Sequence, residues 1–85
     1  MNPDVSFIPK ESDRMMVLNA WNVLTLEDIQ FLNEYEPPTS FGFMWDTNDR
    51  IVDIMTRIEN TYPGHSATSL AITMRFLQLV IRNSL

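Results

Sequence analysis

The C-terminal part of the chain is apolar around most of a helical circumference, which leaves few folds open to it. The periodic pattern predicts one helix from Ser66 to about Asn83. Because an α-helix turns about 100° per residue, its apolar positions fall into two stripes on nearly opposite sides. Such a helix is either the central element of a domain or a contact between subunits. The first stripe consists of Leu70, Met74, Leu77 and Ile81, the second of Ile72, Phe76, Leu79 and Val80, and the polar wedge of Arg75, Gln78 and Arg82.

Residues 1–11 contain two prolines and no helical period, which predicts an extended N-terminal arm that Phe7 and Ile8 pin to the body. Residues 12–85 are then expected to form a single helical domain. Ser12 is the expected N-cap of the first helix, since serine is favoured at that position. The apolar face of this helix is expected to hold Met15, Leu18 and Trp21, widened by Met16, Val17 and Ala20.

The sequence TLEDIQFLNEYEPP is typical of a helix with clear ends. Thr25 is the expected N-cap, and Glu27 and Asp28 lie in the first turn, where carboxylates interact favourably with the helix dipole. Pro37 and Pro38 prevent this second helix from continuing. Its expected buried stripe consists of Leu26, Ile29, Leu32 and Tyr35.

A third helix is expected before the turn Tyr62-Pro63-Gly64, with Asp46 or Thr47 as its N-cap. Asp53 and Arg57 on this helix are spaced for an i,i+4 ion pair. Its core positions are Ile51, Ile54, Met55 and Ile58, and its acidic, solvated face is Asp49, Asp53 and Glu59. The sequence therefore predicts an all-α fold, a small four-helix domain with an aromatic-rich loop between its second and third helices.

That aromatic-rich loop carries alternating rings at Phe41, Phe43 and Trp45. One interpretation is that the loop folds over the helices and the rings complete a small core. In the other, one or two rings stay exposed as anchors for a protein partner, because aromatic residues dominate the energetics of interfaces. The first interpretation is favoured because so short a chain can spare little apolar area, and the second stays as the alternative.

The composition excludes several kinds of site. The chain has no cysteine, which rules out disulfides, cysteine nucleophiles and thiolate metal ligands. Its net charge of −5 disfavours direct binding to nucleic acid, which requires several cations facing phosphates. The N-terminus lacks the pattern of a secretory signal, and the apolar stretch 70–81 is shorter than the roughly 20 residues that span a membrane. We expect a cytoplasmic protein that binds neither nucleic acid nor a membrane.

The letters GHSAT nearly match the G-x-S-x-G nucleophile elbow of serine hydrolases. A catalytic triad needs a histidine held against the serine, yet the single histidine, His65, is the direct neighbour of Ser66. The elbow also follows a strand, whereas the residues before Gly64 favour a helix. We therefore expect Ser66 to cap the fourth helix by accepting a hydrogen bond from the backbone of Thr68 or Ser69, and we expect the protein not to be an enzyme.

The starts of the third and fourth helices suggest two further kinds of binding site. Free N–H groups in the first turn of the fourth helix could hold a small anion, with His65, Ser66, Thr68 and Ser69 as the candidate residues. We expect no calcium loop beginning at Asp46, because Ile51 stands where glycine is needed and Arg57 where a glutamate is needed. A lone histidine without cysteine does not supply a transition-metal site. We expect neither a metal nor a cofactor.

Three hypotheses for function follow. The favoured one is a non-enzymatic interaction protein that binds a protein partner, or a second copy of itself, through the aromatic loop and the fourth helix. The second is an acidic inhibitor whose carboxylates in residues 27–59 imitate a nucleic-acid backbone, and the third is the anion pocket. In the favoured case a homodimer with Phe76 at the contact would cover the second stripe. The candidate protein-binding residues are Phe41, Phe43, Trp45, Ile72, Phe76, Leu79 and Val80.

Overall fold

A computed structural model describes residues 3–36 and 48–84 of the chain. Within these ranges the structure is all-helical and has four helices, as the sequence predicts. They are α1 (Glu11–Trp21), α2 (Leu26–Glu34), α3 (Asp49–Thr61) and α4 (Ala67–Ser84). The predicted aromatic residues Phe41, Phe43 and Trp45 lie outside the described residues.

Helix α4 is the central element, because it packs against each of the other three helices. The first predicted stripe is buried throughout, which confirms that it faces the interior: its members are Leu70, Met74, Leu77 and Ile81. Ala71 and Thr73 are buried beside them. The arc of α4 that its neighbours cover is therefore wider than a single stripe.

The sequence predicts that the whole second stripe lacks cover from the other helices of the domain, and this is wrong for part of the stripe. Val80 is completely buried, because it lies within the wide arc that the surrounding helices cover. Ile72 and Phe76 are half-buried, and Phe76 packs against the core. Only Leu79 is largely exposed among these four residues, at 42%.

Two residues of the polar wedge of α4, Gln78 and Arg82, form hydrogen bonds with the end of α2, which the sequence does not predict. The buried Gln78 donates from Nε2 to the carbonyl oxygens of Leu32, at 2.9 Å, and Tyr35, at 2.6 Å. Arg82 donates from Nε to the carbonyl oxygen of Asn33 at 3.1 Å and from Nη2 to that of Tyr35 at 3.0 Å. Carbonyl groups in the last turn of a helix lack partners within the helix. Side chains of α4 therefore supply hydrogen-bond donors to the carbonyl groups at the end of α2.

Helix α1 begins two residues earlier than expected, at Glu11, with Lys10 as its N-cap, so Ser12 lies inside the helix and is not the cap. The guanidinium of Arg14 donates to the carbonyl oxygens of Ile8, at 2.6 Å, and Pro9, at 3.0 Å. Ile8 is fully buried, which confirms that it pins the arm to the body, whereas Phe7 is mostly exposed.

The buried face of α1 is rotated from the predicted one, and that of α2 lacks its first predicted residue. In α1 the core is formed by Met16, Val17 and Ala20, whereas Met15, at 55%, and Leu18 are exposed. In α2 the expected core residue Leu26 is 85% exposed, because it is the first residue of the helix and precedes the part that packs on α4. Leu32 is buried as predicted, with Ile29 and Tyr35 partly buried against the core.

Helix α3 agrees best with its sequence pattern. Its predicted core positions Ile51, Ile54, Met55 and Ile58 are all buried. The N-cap, however, is Asn48 rather than Asp46 or Thr47: its Oδ1 accepts from the backbone N–H of Arg50 at 2.9 Å and of Ile51 at 3.1 Å. The helix ends at Thr61, and Gly64 then adopts φ +106°, a left-handed conformation that glycine takes without steric cost.

Candidate functional site

Ser66 is the cap of α4, as the sequence predicts. Its Oγ accepts a hydrogen bond from the backbone N–H of Ser69 at 3.1 Å, and its carbonyl oxygen accepts from Leu70 at 3.0 Å. The ring of the neighbouring His65 is directed at the preceding turn, where Nδ1 lies 2.8 Å from the carbonyl oxygen of Tyr62. Since a carbonyl can only accept, Nδ1 carries the proton in this contact. Both side chains thus serve the connection between α3 and α4.

Glu59 closes the same turn from the side of α3. One carboxylate oxygen accepts from the backbone N–H of Gly64 at 2.5 Å and of His65 at 2.9 Å, and the other lies 3.5 Å from Nδ1 of His65. The hydrogen bond from the His65 backbone is the main cause that holds the pKa of Glu59 below its ordinary value. Glu59 was expected on the solvated face of the helix, but it is half-buried because it binds these amides.

The four candidate anion-binding residues, His65, Ser66, Thr68 and Ser69, lie together in this turn and the first turn of α4. Three of the nearby backbone amides already have acceptors: Glu59 binds those of Gly64 and His65, and Ser66 binds that of Ser69. An anion at this place would meet the carboxylate of Glu59. The anion pocket stays a hypothesis, and the geometry adds no support for it.

A buried carboxylate, Asp28, joins α2 to α3. Asp28 is 2% exposed and forms a capping box with Thr25, in which its Oδ2 accepts from the Thr25 backbone at 2.9 Å and its N–H donates to Thr25 Oγ1 at 3.1 Å. Arg57 Nη1 donates to Asp28 Oδ2 at 2.6 Å and to the carbonyl oxygen of Val23 at 3.0 Å, and Arg50 Nη2 lies 3.4 Å from Asp28 Oδ1.

The environment of Asp28 keeps it ionised. Burial raises its pKa, but hydrogen bonds from Arg57 and Thr25 and the charge of Arg57 lower it by more, to about 2. The predicted i,i+4 pair of Asp53 with Arg57 is present at 3.4 Å. The sequence predicts Asp28 in the first turn of its helix but not its contact with Arg57, because spacing along a chain gives no signal for a pair 29 residues apart. This cluster fastens α2 to α3.

An apolar groove runs between α3 and the first turns of α4, and we call it the α3–α4 groove. Its volume is 270 Å³. Met55 and Leu70 are the buried members of its lining, while Val52 at its edge is 40% exposed. The lining residues are Val52, Met55, Thr56, Glu59, Asn60, Ala67 and Leu70. The sequence offered one signal for it: Val52 is an apolar residue outside the core spacing of its helix.

Among the predicted protein-binding residues, the four on α4 do not form this groove. Ile72, Phe76, Leu79 and Val80 are absent from the lining of the α3–α4 groove, which within the described residues is formed by α3 and the start of α4. Homodimerisation through that stripe stays a prediction, and the burial of Val80 removes one of its four contacts.

Comparisons with known proteins add no assignment. No protein-family model, no curated protein and no solved structure matches this chain. Among residues 3–36 and 48–84, no helix is long and apolar enough to cross a membrane. In the same part of the chain, no group of three or more histidine, aspartate or glutamate side chains is placed to hold a metal ion.

Proposed function

We propose that this chain is a non-enzymatic interaction domain that binds a protein partner through the α3–α4 groove. The observation that carries the proposal is an apolar groove whose edge, at Val52, stays 40% exposed in a small domain. Apolar surface gains about 25 cal/mol per Å² when it is removed from water. A partner that covers the groove gains this free energy, and binding sites are commonly found where apolar surface is left uncovered.

The size of the groove favours a polypeptide over a cofactor. Pockets for small molecules usually have volumes of about 300–1,000 Å³ and enclose most of the ligand. This groove, at 270 Å³, is open along its length and lies below that range. It has room for a few side chains of a partner whose backbone stays outside.

The polar side chains with catalytic potential support a non-enzymatic role, because each has a structural task. Asp28 is paired with arginines, and Glu59 binds the backbone of the turn before α4. Ser66 caps α4, and the ring of His65 contacts the carbonyl of Tyr62. We place the interaction in the cytoplasm, since a chain without cysteine suits a reducing compartment.

Selection of peptides against the folded protein tests this function. Random phage-displayed peptides are enriched on the protein, and synthetic copies are titrated into ¹⁵N-labelled protein while the backbone amide resonances are followed. We expect the largest shifts at the groove residues Val52, Thr56, Asn60 and Ala67. We expect Val52→Ser to weaken binding about threefold to tenfold, since a partly buried valine contributes on the order of 1 kcal/mol.

Leu79→Ser is the matched control, because Leu79 has nearly the same exposure, 42% against 40% for Val52, but lies outside the groove. We expect it to leave peptide affinity unchanged. Selected peptides that lose affinity equally with both variants, or that shift amides away from the groove, would overturn the proposed function.

A further inference from the structure

We propose that the partner of the α3–α4 groove is an amphipathic helical segment of another protein, with lysine or arginine beside its apolar anchors. This inference rests on the proposed function and adds the chemistry of the occupant. It depends on the charges that border the groove, which are acidic along α3, while the first turns of α4 bring no charge.

The outer border of the groove on α3 is an acidic stripe. Asp49, Asp53, Thr56 and Asn60 follow each other at i, i+4, i+7 and i+11, and residues at such spacings share one face of a helix. Thr56 and Asn60 line the groove. The two aspartates lie on the same face of α3 nearer its start, where they also line a polar cleft against α2. Both aspartates are exposed.

Glu59 adds a third carboxylate inside the groove itself. Its hydrogen bonds to the backbone of Gly64 and His65 hold it in place and keep its pKa below the ordinary value, so it is ionised at neutral pH. Its side chain is still 30% exposed, so a cation of a partner can approach it from outside.

The arginines of α3 neutralise this border only in part. Arg57 Nη2 lies 3.4 Å from the carboxylate of Asp53, whereas within the described residues neither arginine forms an ion pair with Asp49 or Glu59. Arg50 and Arg57 both contact Asp28 of α2, and helical spacing places them on the other side of α3 from Val52. The opposite wall of the groove is formed by Ala67 and Leu70, and the stretch from Ala67 to Met74 has no charged residue. An occupant therefore meets apolar side chains on the floor and carboxylates along one border.

The length of the groove fits about two turns of helix. Val52 and Asn60 are the first and last α3 residues of its lining, and at about 1.5 Å per residue they lie roughly 12 Å apart along the axis. A partner helix presents apolar anchors at i, i+3, i+4 and i+7 over the same distance. Lysine or arginine next to those anchors would reach the carboxylates of α3. Nucleic acids and anionic membranes carry the same sign of charge as this border, so they are disfavoured as occupants.

Three synthetic peptides test the inference. All carry leucine at i, i+3, i+4 and i+7, and the remaining positions are lysine in the first, glutamine in the second and glutamate in the third. Each is titrated into ¹⁵N-labelled full-length protein at low salt and again at about 1 M salt, where charges more than about 3 Å apart are screened. We expect the groove amides to report an affinity for the lysine peptide at least tenfold higher than for the glutamine peptide. We expect the glutamate peptide to cause no shift of these amides. We also expect this advantage to shrink at high salt.

Variants of the protein locate the charge effect. The double variant Asp49→Asn with Asp53→Asn should weaken the lysine peptide about threefold to tenfold and leave the glutamine peptide unchanged. Glu11→Gln is the matched control, since Glu11 is an exposed acid at the start of α1, and it should change neither affinity.

The outcomes separate this inference from the proposed function. Equal affinity of the lysine and glutamine peptides at the groove would overturn the charge inference and leave the proposed function standing. The charge inference also fails, and the proposed function stands, if phage-selected peptides shift the groove amides and the lysine peptide does not. A short DNA oligonucleotide that shifts the groove amides would also overturn the inference. If neither designed nor selected peptides shift the groove, the proposed function fails with it.

Discussion

Arg57 Nη1 lies 2.6 Å from Asp28 Oδ2, and this contact joins residues 29 positions apart in the chain. The carboxylate is buried, whereas the arginine side chain is 36% exposed. The same guanidinium also donates to the carbonyl oxygen of Val23 at 3.0 Å. One side chain of α3 therefore fixes both the start of α2 and the connection that precedes it, which sets the position of α3 and hence one wall of the groove.

Loss of the Asp28 carboxylate should destabilise the fold. We expect Asp28→Ala to lower the free energy of unfolding by about 2–4 kcal/mol, because it removes an N-terminal capping box and leaves Arg57 without its buried partner. Asp53→Asn is the control: it removes a mostly exposed partner of the same arginine and should cost less than about 1 kcal/mol. Urea denaturation followed by circular dichroism measures both, and equal losses would contradict the structural role of Asp28.

Acid should weaken the protein through the same carboxylate. The pKa of Asp28 is lowered from 3.8 to about 2 in the folded protein. A depressed pKa stabilises the folded state above the unfolded pKa, and this stabilisation is lost as the pH falls towards the folded pKa. We expect the free energy of unfolding to fall on the order of 2 kcal/mol from this group between about pH 5 and pH 2.

The control for this pH dependence is Asp28→Asn, in which the titrating group is gone. Its unfolding curves should change less with pH than those of the parent over that range. A parent and variant with the same pH dependence would show that another group causes the acid sensitivity.

The cap of α4 gives a prediction that also bears on the nucleophile hypothesis. We expect Ser66→Ala to lower the free energy of unfolding by about 0.5–2 kcal/mol and Ser66→Asp to be tolerated, because aspartate caps equally well. Ser12→Ala is a control within the same protein, since Ser12 lies inside α1, and it should change stability by less than about 0.5 kcal/mol. Covalent labelling of Ser66 by a fluorophosphonate probe would contradict the capping role.

Gln78 should contribute more to the stability of the fold than an exposed polar residue of α4 does. We expect Gln78→Met, which has similar volume, to cost about 1–3 kcal/mol, because the buried carbonyl of Leu32 loses the donor that Gln78 supplies. The carbonyl of Tyr35 keeps Arg82 as a donor. Arg75→Met, at an exposed position of the same helix, should cost less than about 0.5 kcal/mol in thermal unfolding. A Gln78 variant as stable as the parent would contradict the role of Gln78 at the end of α2.

The sequence predictions are accurate where the apolar pattern of one helix determines which residues are buried, and less accurate where contacts between helices determine it. Helix α3 has one narrow apolar stripe, so its spacing alone identified the buried residues. Helix α1 is apolar over a broad arc, and the pattern did not decide whether Met15 or Met16 faces the core. Its orientation is set by contact with α4, which a local pattern does not contain.

The candidate site was less accessible to sequence analysis. The capping serine was predicted because its partner, Ser69, is three residues away. The contacts of Gln78 with Leu32 and of Arg57 with Asp28 join distant parts of the chain, so spacing gave no indication of them. The α3–α4 groove likewise depends on how two helices meet. Its one local signal was Val52, an apolar residue outside the core spacing.

Photo-cross-linking from the groove in native cells tests the central claim most directly. The photoreactive residue p-benzoylphenylalanine replaces Val52 in one version of the protein and Leu79 in another, and mass spectrometry then maps the cross-linked peptides. The account predicts a discrete adduct from position 52 and none from position 79, with the cross-linked peptide containing apolar residues at helical spacing next to lysine or arginine. Adducts that form from position 79 and not from position 52 would contradict the groove as the binding site.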